Sequence, residues 1–370
     1  MKIYWMFLGL SMIVWLWCST SYESVKINGQ SEKKASWIQA IVFFAVIIFF
    51  CGLRSGIADT GTYIQMFEGY YPDSIAAIDW SADIKDKGFY ALTTFYKQFI
   101  SNDWQGWLFL IALISGAATM YAFKKYSVNF GLSCFLFIST TMFTYLVNGM
   151  RQYICVAIVF ASIGLIMERK FWKFMILILV LSTIHASVLV FIPVYFIANV
   201  KPWSWQMMLV IIAAIIFGMF FEQLFPIFGS LLEETQYEGY VSYISDQGAG
   251  SNIIRLFIAA VPCVLAFLGR KIVQREGNSL VDISVNMSVI NLCLYFIATF
   301  SSGMVVGRMT TYFDIFNLLL LPWLLKHIFT PKSSQLVTWM CVFFYTVYFY
   351  IQMVLTWHIG YESSLLGIFC

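Results

Sequence analysis

Residues 126–167, YSVNFGLSCFLFISTTMFTYLVNGMRQYICVAIVFASIGLIM, run for 42 positions with a single formal charge, Arg151. The run is long enough for two membrane crossings of about 20 apolar residues each. An arginine at the centre of an apolar helix costs about 2.5–3.5 kcal/mol on insertion scales, so it is kept where something compensates it. The arrangement this implies puts Arg151 at a turn between two spans, facing a polar cavity where an anion can meet it. A capping arginine satisfied by backbone carbonyls is the competing reading.

The rest of the chain extends the same pattern. Hydrophobic residues make up 61% and charged residues 11%, with a mean hydropathy of +0.80. That excludes a soluble globular domain and predicts an all-α, polytopic transmembrane bundle spanning residues 1–370 as a single domain. No polar stretch is large enough for a nucleotide-sugar or ATP-binding domain. Residues 3–19 are Trp-rich and lack a small-x-small cleavage site, so they read as a retained first helix. The eight cysteines lie in or beside apolar runs without a Cys-x-x-Cys pair and read as small hydrophobes.

Apolar spans fall at 3–19, 37–52, 104–122, 128–147, 153–168, 203–221, 254–269, 285–300, 309–326 and 336–357. The stretch 172–200, broken by His185 and Pro193, reads as a tight helical pair, 172–184 and 186–200, which brings the count to about twelve segments. Fourteen of the 22 Lys and Arg residues then share one face, among them Lys33, Lys34, Lys124, Lys125, Arg169, Lys170, Arg270 and Lys271. The positive-inside rule makes that face cytoplasmic. Arg54, Asp59, Arg151, His185 and Arg308 all land at outer helix ends, and both termini are expected outside.

Two outer loops, 53–103 and 222–252, carry apolar residues at helical spacing. In the first, Phe89, Leu92, Thr93, Tyr96, Phe99 and Ile100 mark an amphipathic interfacial helix. Asp59-Thr60 precedes Tyr63, Met66, Phe67 and Tyr70 as a helix cap. In the second, Phe221, Leu224, Phe225, Phe228, Leu231 and Leu232 repeat the theme, with Tyr237, Tyr240 and Tyr243 suited to stacking on sugar rings. Bracing helices, or a lid over an outer cavity, are the two readings of these loops.

Particular residues carry a resemblance. Cys51-Gly52-Leu53-Arg54 with Asp59-Thr60 and Tyr63, then Lys87-Gly88-Phe89, then Asn148-Gly149-Met150-Arg151-Gln152-Tyr153, then His185-Ala186-Ser187 with Pro193 and Tyr195, resemble the EpsG-like branch of the Wzy-type polysaccharide polymerases. Arg308 with Tyr312 is similar to a late family motif, and the likeness covers about residues 1–325. The chain departs from the pattern at Ser55-Gly56-Ile57-Ala58, where the family usually has an aromatic residue and a glycine, which bears on the role of Asp59. The resemblance implies an architecture like that of the C-type integral-membrane glycosyltransferases. It also implies polymerisation of repeat units on a polyprenyl pyrophosphate carrier, into O-antigen, capsule or exopolysaccharide, at the outer face of the bacterial plasma membrane.

On that reading the donor and acceptor are polyprenyl-pyrophosphate-linked oligosaccharides. The other partners are membrane lipid, a chain-length regulator and a flippase, with no nucleic acid. Attack on the anomeric carbon passes through an oxocarbenium-like transition state while charge grows on the leaving pyrophosphate. Guanidinium groups fork onto phosphate oxygens and act strongly where water is scarce. Arg151 and Arg308 are assigned to the pyrophosphate, with Arg54 as a third contact or as an ion-pair partner of Asp59; Arg255 also stands at an outer helix start. Asn148, Gln152 and Tyr312 complete the substrate-binding set. His185 is the candidate base, because an imidazole titrates near neutral pH; Asp59, Asp86 and Glu233-Glu234 are the alternatives. On the residues alone, a structural His185 bonded to a carbonyl at the helix break ranks first, and the resemblance reverses that order. No Asp-x-Asp and no ligand-like histidine spacing occur, so neither metal nor cofactor is expected. Competing functions are a flippase for the same lipid-linked sugar, which predicts cations along a mid-membrane lumen, and a surface-polysaccharide ligase.

Overall fold

The computed structural model describes residues 1–27, 30–82, 84–221, 223, 251–301 and 305–369. Among the described residues the chain is helical apart from one hairpin, turns and short bridges, and it divides into two compact units. Unit 1 comprises Met1–Leu165, Trp172–Leu189 and Thr330–Cys370; unit 2 comprises Ile166–Phe171 and Val190–Phe329.

Unit 1 begins with α1 (Lys2–Thr20), the antiparallel hairpin β1 (Glu23–Ile27) and β2 (Gln30–Lys34), and α2 (Trp37–Gly52). Ser36 opens α2 with a capping box: its side chain accepts from Gln39 N while Gln39 Oε1 accepts from Ser36 N. The loop that follows holds α3 (Thr60–Gly69) and α4 (Lys87–Phe99), and α5 (Trp104–Tyr126) starts on an Asp103 side-chain cap. Helices α2 and α5 pack antiparallel. At one end Gln105 Nε2 donates to Gly52 O at 2.7 Å; at the other Lys34 Nζ donates to Ser127 O at 3.1 Å and Lys124 pairs with Glu23 at 3.3 Å. Lys33, Lys34, Lys124 and Lys125 therefore gather at one end of the unit, and the polar residues after α2 lie at the other.

The 126–167 run divides differently from the expected 128–147 and 153–168. Helix α6 (Phe130–Ser139) stops early, Thr141 turns at φ +64°, and Met142–Leu146 continue as a 3-10 turn before α7 (Met150–Ala161) and α8 (Ile163–Met167). Met142, Phe143, Thr144, Leu146 and Val147 are all buried. This is the condition under which irregular backbone is tolerated in an apolar environment, since its N–H and C=O groups can be satisfied by protein.

Helix α9 (Phe171–Ser182), a 3-10 turn at Ala186–Val190 and α10 (Phe191–Ala198) reproduce the expected break at His185. Unit 2 continues with α11 (Trp205–Met219), α12 (Ile253–Leu268), α13 (Arg270–Glu276), α14 (Ser279–Phe300), α15 (Val305–Met309) and α16 (Thr311–His327). Its centre is α14, against which α10, α11, α12 and α16 pack. Asn286 on α14 donates to the carbonyls of Ile197, Ala198 and Val200, which satisfies the C-terminal end of α10. The expected helix after Phe221, with Glu233, Glu234, Tyr237, Tyr240 and Tyr243, lies outside the described residues.

The chain returns to unit 1 with α17 (Pro331–Tyr350), prolonged by a π-helical turn at Ile351–Trp357. Among the described residues four helices are long and apolar enough to cross a membrane, Lys2–Thr20, Trp104–Tyr126, Ser279–Phe300 and Pro331–Trp357; the bent pair α12 and α13 makes five if counted as one span. Six further apolar helices are shorter.

Candidate functional site

The loop between α2 and α5 builds the site from aromatic packing. Tyr63 and Phe67 on α3, Phe89 and Tyr96 on α4, and Trp107 on α5 form one buried cluster with Tyr71, Met150 and Ile154. Phe67 and Trp107 lie with ring centroids 5.4 Å apart, and Phe89 meets Trp107 edge-on at 5.7 Å. Such rings bury large areas and gain further from tilted contact. The α4 stripe divides: Phe89, Thr93 and Tyr96 are buried, whereas Phe99 and Ile100 are about three-fifths exposed, 61% and 60%. Lys97 fixes the far end of the loop, donating to Phe67 O and Tyr71 O and pairing with Asp73 at 2.7 Å.

Helix α4 begins at Asp86, which adopts a left-handed conformation, φ 54° and ψ 52°. The next turn is anchored to the end of α9, because Thr183 O accepts from both Gly88 N at 2.8 Å and Phe89 N at 3.3 Å. No side chain fits at position 88, where a Cβ would lie 2.0 Å from Thr183 Oγ1 and 3.0 Å from the Thr183 carbonyl carbon. Gly88→Ala is expected to destabilise the protein by about 1–3 kcal/mol through overpacking. Thermal unfolding in detergent measures this, and a midpoint equal to wild type would contradict the close approach.

This anchoring delivers Asp86 to two partners far away in the chain. Arg151 Nη1 pairs with Asp86 Oδ2 at 2.6 Å, and His185 Nδ1 stands 3.4 Å from the same oxygen. Asp86 is the most enclosed, with a side chain 9% exposed against 27% for each partner. The Arg151 guanidinium also lies 5.8 Å from the ring centroids of Tyr63 and Phe89, within cation–π range. With Nδ1 turned to a carboxylate, the imidazole has Nε2 left to exchange a proton. In the sequence Asp86 stands only as an alternative base, and the signal that points to it is the Lys87-Gly88-Phe89 motif that follows.

Asp59 serves the same turn. It stands before α3 but makes no side-chain cap there; its Oδ2 accepts from Gly149 N at 3.1 Å, two residues before Arg151. Gly149 has φ +69°, a conformation that glycine adopts without strain. Asp59 thus satisfies a donor at the start of α7 and places negative charge at its N-terminus.

Arg54 has no exposed surface. Its donors go to Thr60 Oγ1 at 2.9 Å, to Cys51 O and to Met150 Sδ, and no ion pair joins it to Asp59. Burial pulls the guanidinium down to about 10, which leaves it cationic at neutral pH. The residue therefore ties the end of α2 to the start of α7, next to Arg151. The C-terminal segment closes over the same loop: Tyr361 donates to Phe50 O at 2.9 Å, Ser55 N to Glu362 O at 2.9 Å and Ser363 Oγ to Leu53 O. Nothing in the local sequence pattern had marked that segment.

Of the remaining expected residues, Asn148 has a buried Oδ1 without a hydrogen-bond partner among the described residues, and Gln152 is buried on α7. Arg308, at the end of α15, and the buried Tyr312, packed edge-on against Phe191 at 5.6 Å, belong to unit 2. The structure thus brings Asp59, Arg151 and His185 to the α3–α4 loop, with Arg54 directly behind them.

No curated protein and no solved structure matches the chain. A family profile matches residues 37–363, which begins later than the likeness read from the motifs and reaches through the C-terminal segment that closes on Arg54. The chain accordingly belongs to the EpsG family, membrane proteins of polysaccharide biosynthesis related to the Wzy-type polymerases.

Proposed function

We propose that the chain is a glycosyltransferase that polymerises polyprenyl-pyrophosphate-linked oligosaccharide repeat units into O-antigen, capsule or exopolysaccharide. The observation that carries this reading is the shared carboxylate. Arg151 and His185, 65 and 99 residues from Asp86, meet it at the end of unit 1 opposite the lysines. The positive-inside rule assigns the lysine end to the cytoplasm and the site to the outer face of the bacterial plasma membrane. About twelve segments and an architecture of the C-type glycosyltransferases belong to the same proposal.

An acceptor sugar hydroxyl attacks the anomeric carbon of the donor. The new C–O bond forms as the bond to pyrophosphate breaks, and the polyprenyl pyrophosphate leaves with the electron pair. His185 Nε2 takes the hydroxyl proton, with Asp86 orienting the ring through Nδ1. Arg151 neutralises the pyrophosphate, where a forked donor acts best; the same part for Arg308 rests on the family motif alone. Asn148, whose carbonyl oxygen has no hydrogen-bond partner among the described residues, contacts the saccharide together with Gln152; the same part for Tyr312 rests on the family motif alone. Arg54 and Asp59 hold the turn that carries Arg151.

Purified protein and a defined lipid-linked repeat should yield a ladder of extended products, whereas a protein that only moves the carrier across a bilayer yields none in detergent. His185→Gln should lower the extension rate by about 10²–10⁴. It should also flatten the rise of rate with pH that an imidazole base produces. An unchanged rate and profile would leave His185 a structural role alone.

A further inference from the structure

The lysine end of unit 1, remote from the site above, carries a second feature. A cavity of about 150 Å³ lies between the end of α1, β2 and the start of α6, lined by Trp15, Tyr22, Lys33, Lys34, Asn129 and Phe130. We propose that this cavity binds the phosphate headgroup of an anionic phospholipid whose acyl chains run along α1 and α17.

Three observations carry the proposal. The first is charge: Lys33 and Lys34 line one small cavity; Lys34 Nζ donates to Ser127 O, Lys33 makes no ion pair among the described residues, and the nearby Glu23 is paired with Lys124 at 3.3 Å. Lys33 is exposed, and its Nζ lies 4.1 Å from the ring centroid of Tyr22, which lines the same cavity. The second is the apolar flank. Below the cavity α1 exposes Ile13 and Leu16, and α17 exposes Leu336 and Trp339, while Trp15 and Trp339 join the two helices at 5.5 Å between ring centroids. A free phosphate has no use for that surface, whereas a lipid places its chains on it. The third is fixed backbone. Helices α1 and α6 cross so closely that a Cβ at Gly131 would lie 2.4 Å from Trp15 Cα, so the cavity wall is set before any ligand arrives. Basic clusters beside apolar helices attract anionic lipid with about 1 kcal/mol per Lys or Arg near the surface.

The test uses the full-length protein in detergent, titrated with dioleoyl phosphatidylglycerol or dioleoyl phosphatidylcholine and read by native mass spectrometry. Saturable binding of the glycerol lipid, with the choline lipid at least tenfold weaker, is expected. Lys33→Gln should weaken phosphatidylglycerol about fivefold. Lys125→Gln, on the same end but outside the cavity, should leave binding unchanged. Millimolar inorganic phosphate should fail to displace the lipid. Equal binding of the two lipids, equal losses for Lys33→Gln and Lys125→Gln, or full displacement by inorganic phosphate would each overturn the proposal; the last would identify a soluble-anion site. Lys33 is exposed, so Lys33→Gln keeps the fold, and an unchanged melting temperature verifies it.

Discussion

Arg151→Ala is expected to abolish the long-chain ladder of surface glycan while single capped units remain. In vitro, kcat should fall by about 10²–10³, the usual loss when one preorganised donor to a developing anion is removed. The size follows from placement. The guanidinium is fixed between a carboxylate at 2.6 Å and two aromatic rings at 5.8 Å, so little reorganisation is needed when a phosphate oxygen becomes charged. Lys at this position keeps the charge but loses the planar fork, and should recover only part of the rate. The fold should survive either change, because Arg151 is partly exposed and the turn beneath it is held by Asp59, Gly149 and Arg54. Retention of a full ladder at normal protein level would remove Arg151 from catalysis. Loss of all external repeat units, capped ones included, would favour transport.

How far this site could be read in advance depends on where each contact is determined. The cost of a lone arginine in an apolar run is local, and so are the break at His185 and the apolar spans, most of which appear as helices within a few residues of their expected limits. Asp86 is different. Its importance arises from Gly88 packing under Thr183, a fit between residues that no periodicity links. Arg54 is hard to place from sequence for a related reason. A basic residue one step past an apolar helix reads as an interfacial anchor or a ligand contact, and only tertiary packing shows its donors spent on Thr60, Cys51 and Met150. The 3-10 segment at 142–146 has side chains as apolar as those of a span, so its pattern predicts helix; the difference lies in the backbone turn at Thr141.

Asp86→Asn separates the roles of that carboxylate. Asparagine tolerates the left-handed backbone at position 86 as aspartate does, whereas alanine would add a backbone penalty of about 1–2 kcal/mol. The amide can still accept a hydrogen bond from His185 Nδ1, but it no longer balances the positive charge that forms on the ring when Nε2 takes a proton. The rate of the chemical step should therefore drop by about 10². Binding should move the other way. In the wild type, pyrophosphate must compete with Asp86 for Arg151; with the carboxylate gone, the guanidinium is free for the donor and KM should fall. A lower kcat with a lower KM is the signature of a ground-state contact given up on the way to the transition state. A purely structural ion pair predicts a different pattern: a lower melting temperature, with kcat and KM unchanged in the folded fraction. Steady-state kinetics on a defined lipid-linked repeat, paired with thermal unfolding, tells the two apart, and an Asp86→Asn enzyme with wild-type kcat would end the role of this carboxylate in proton transfer.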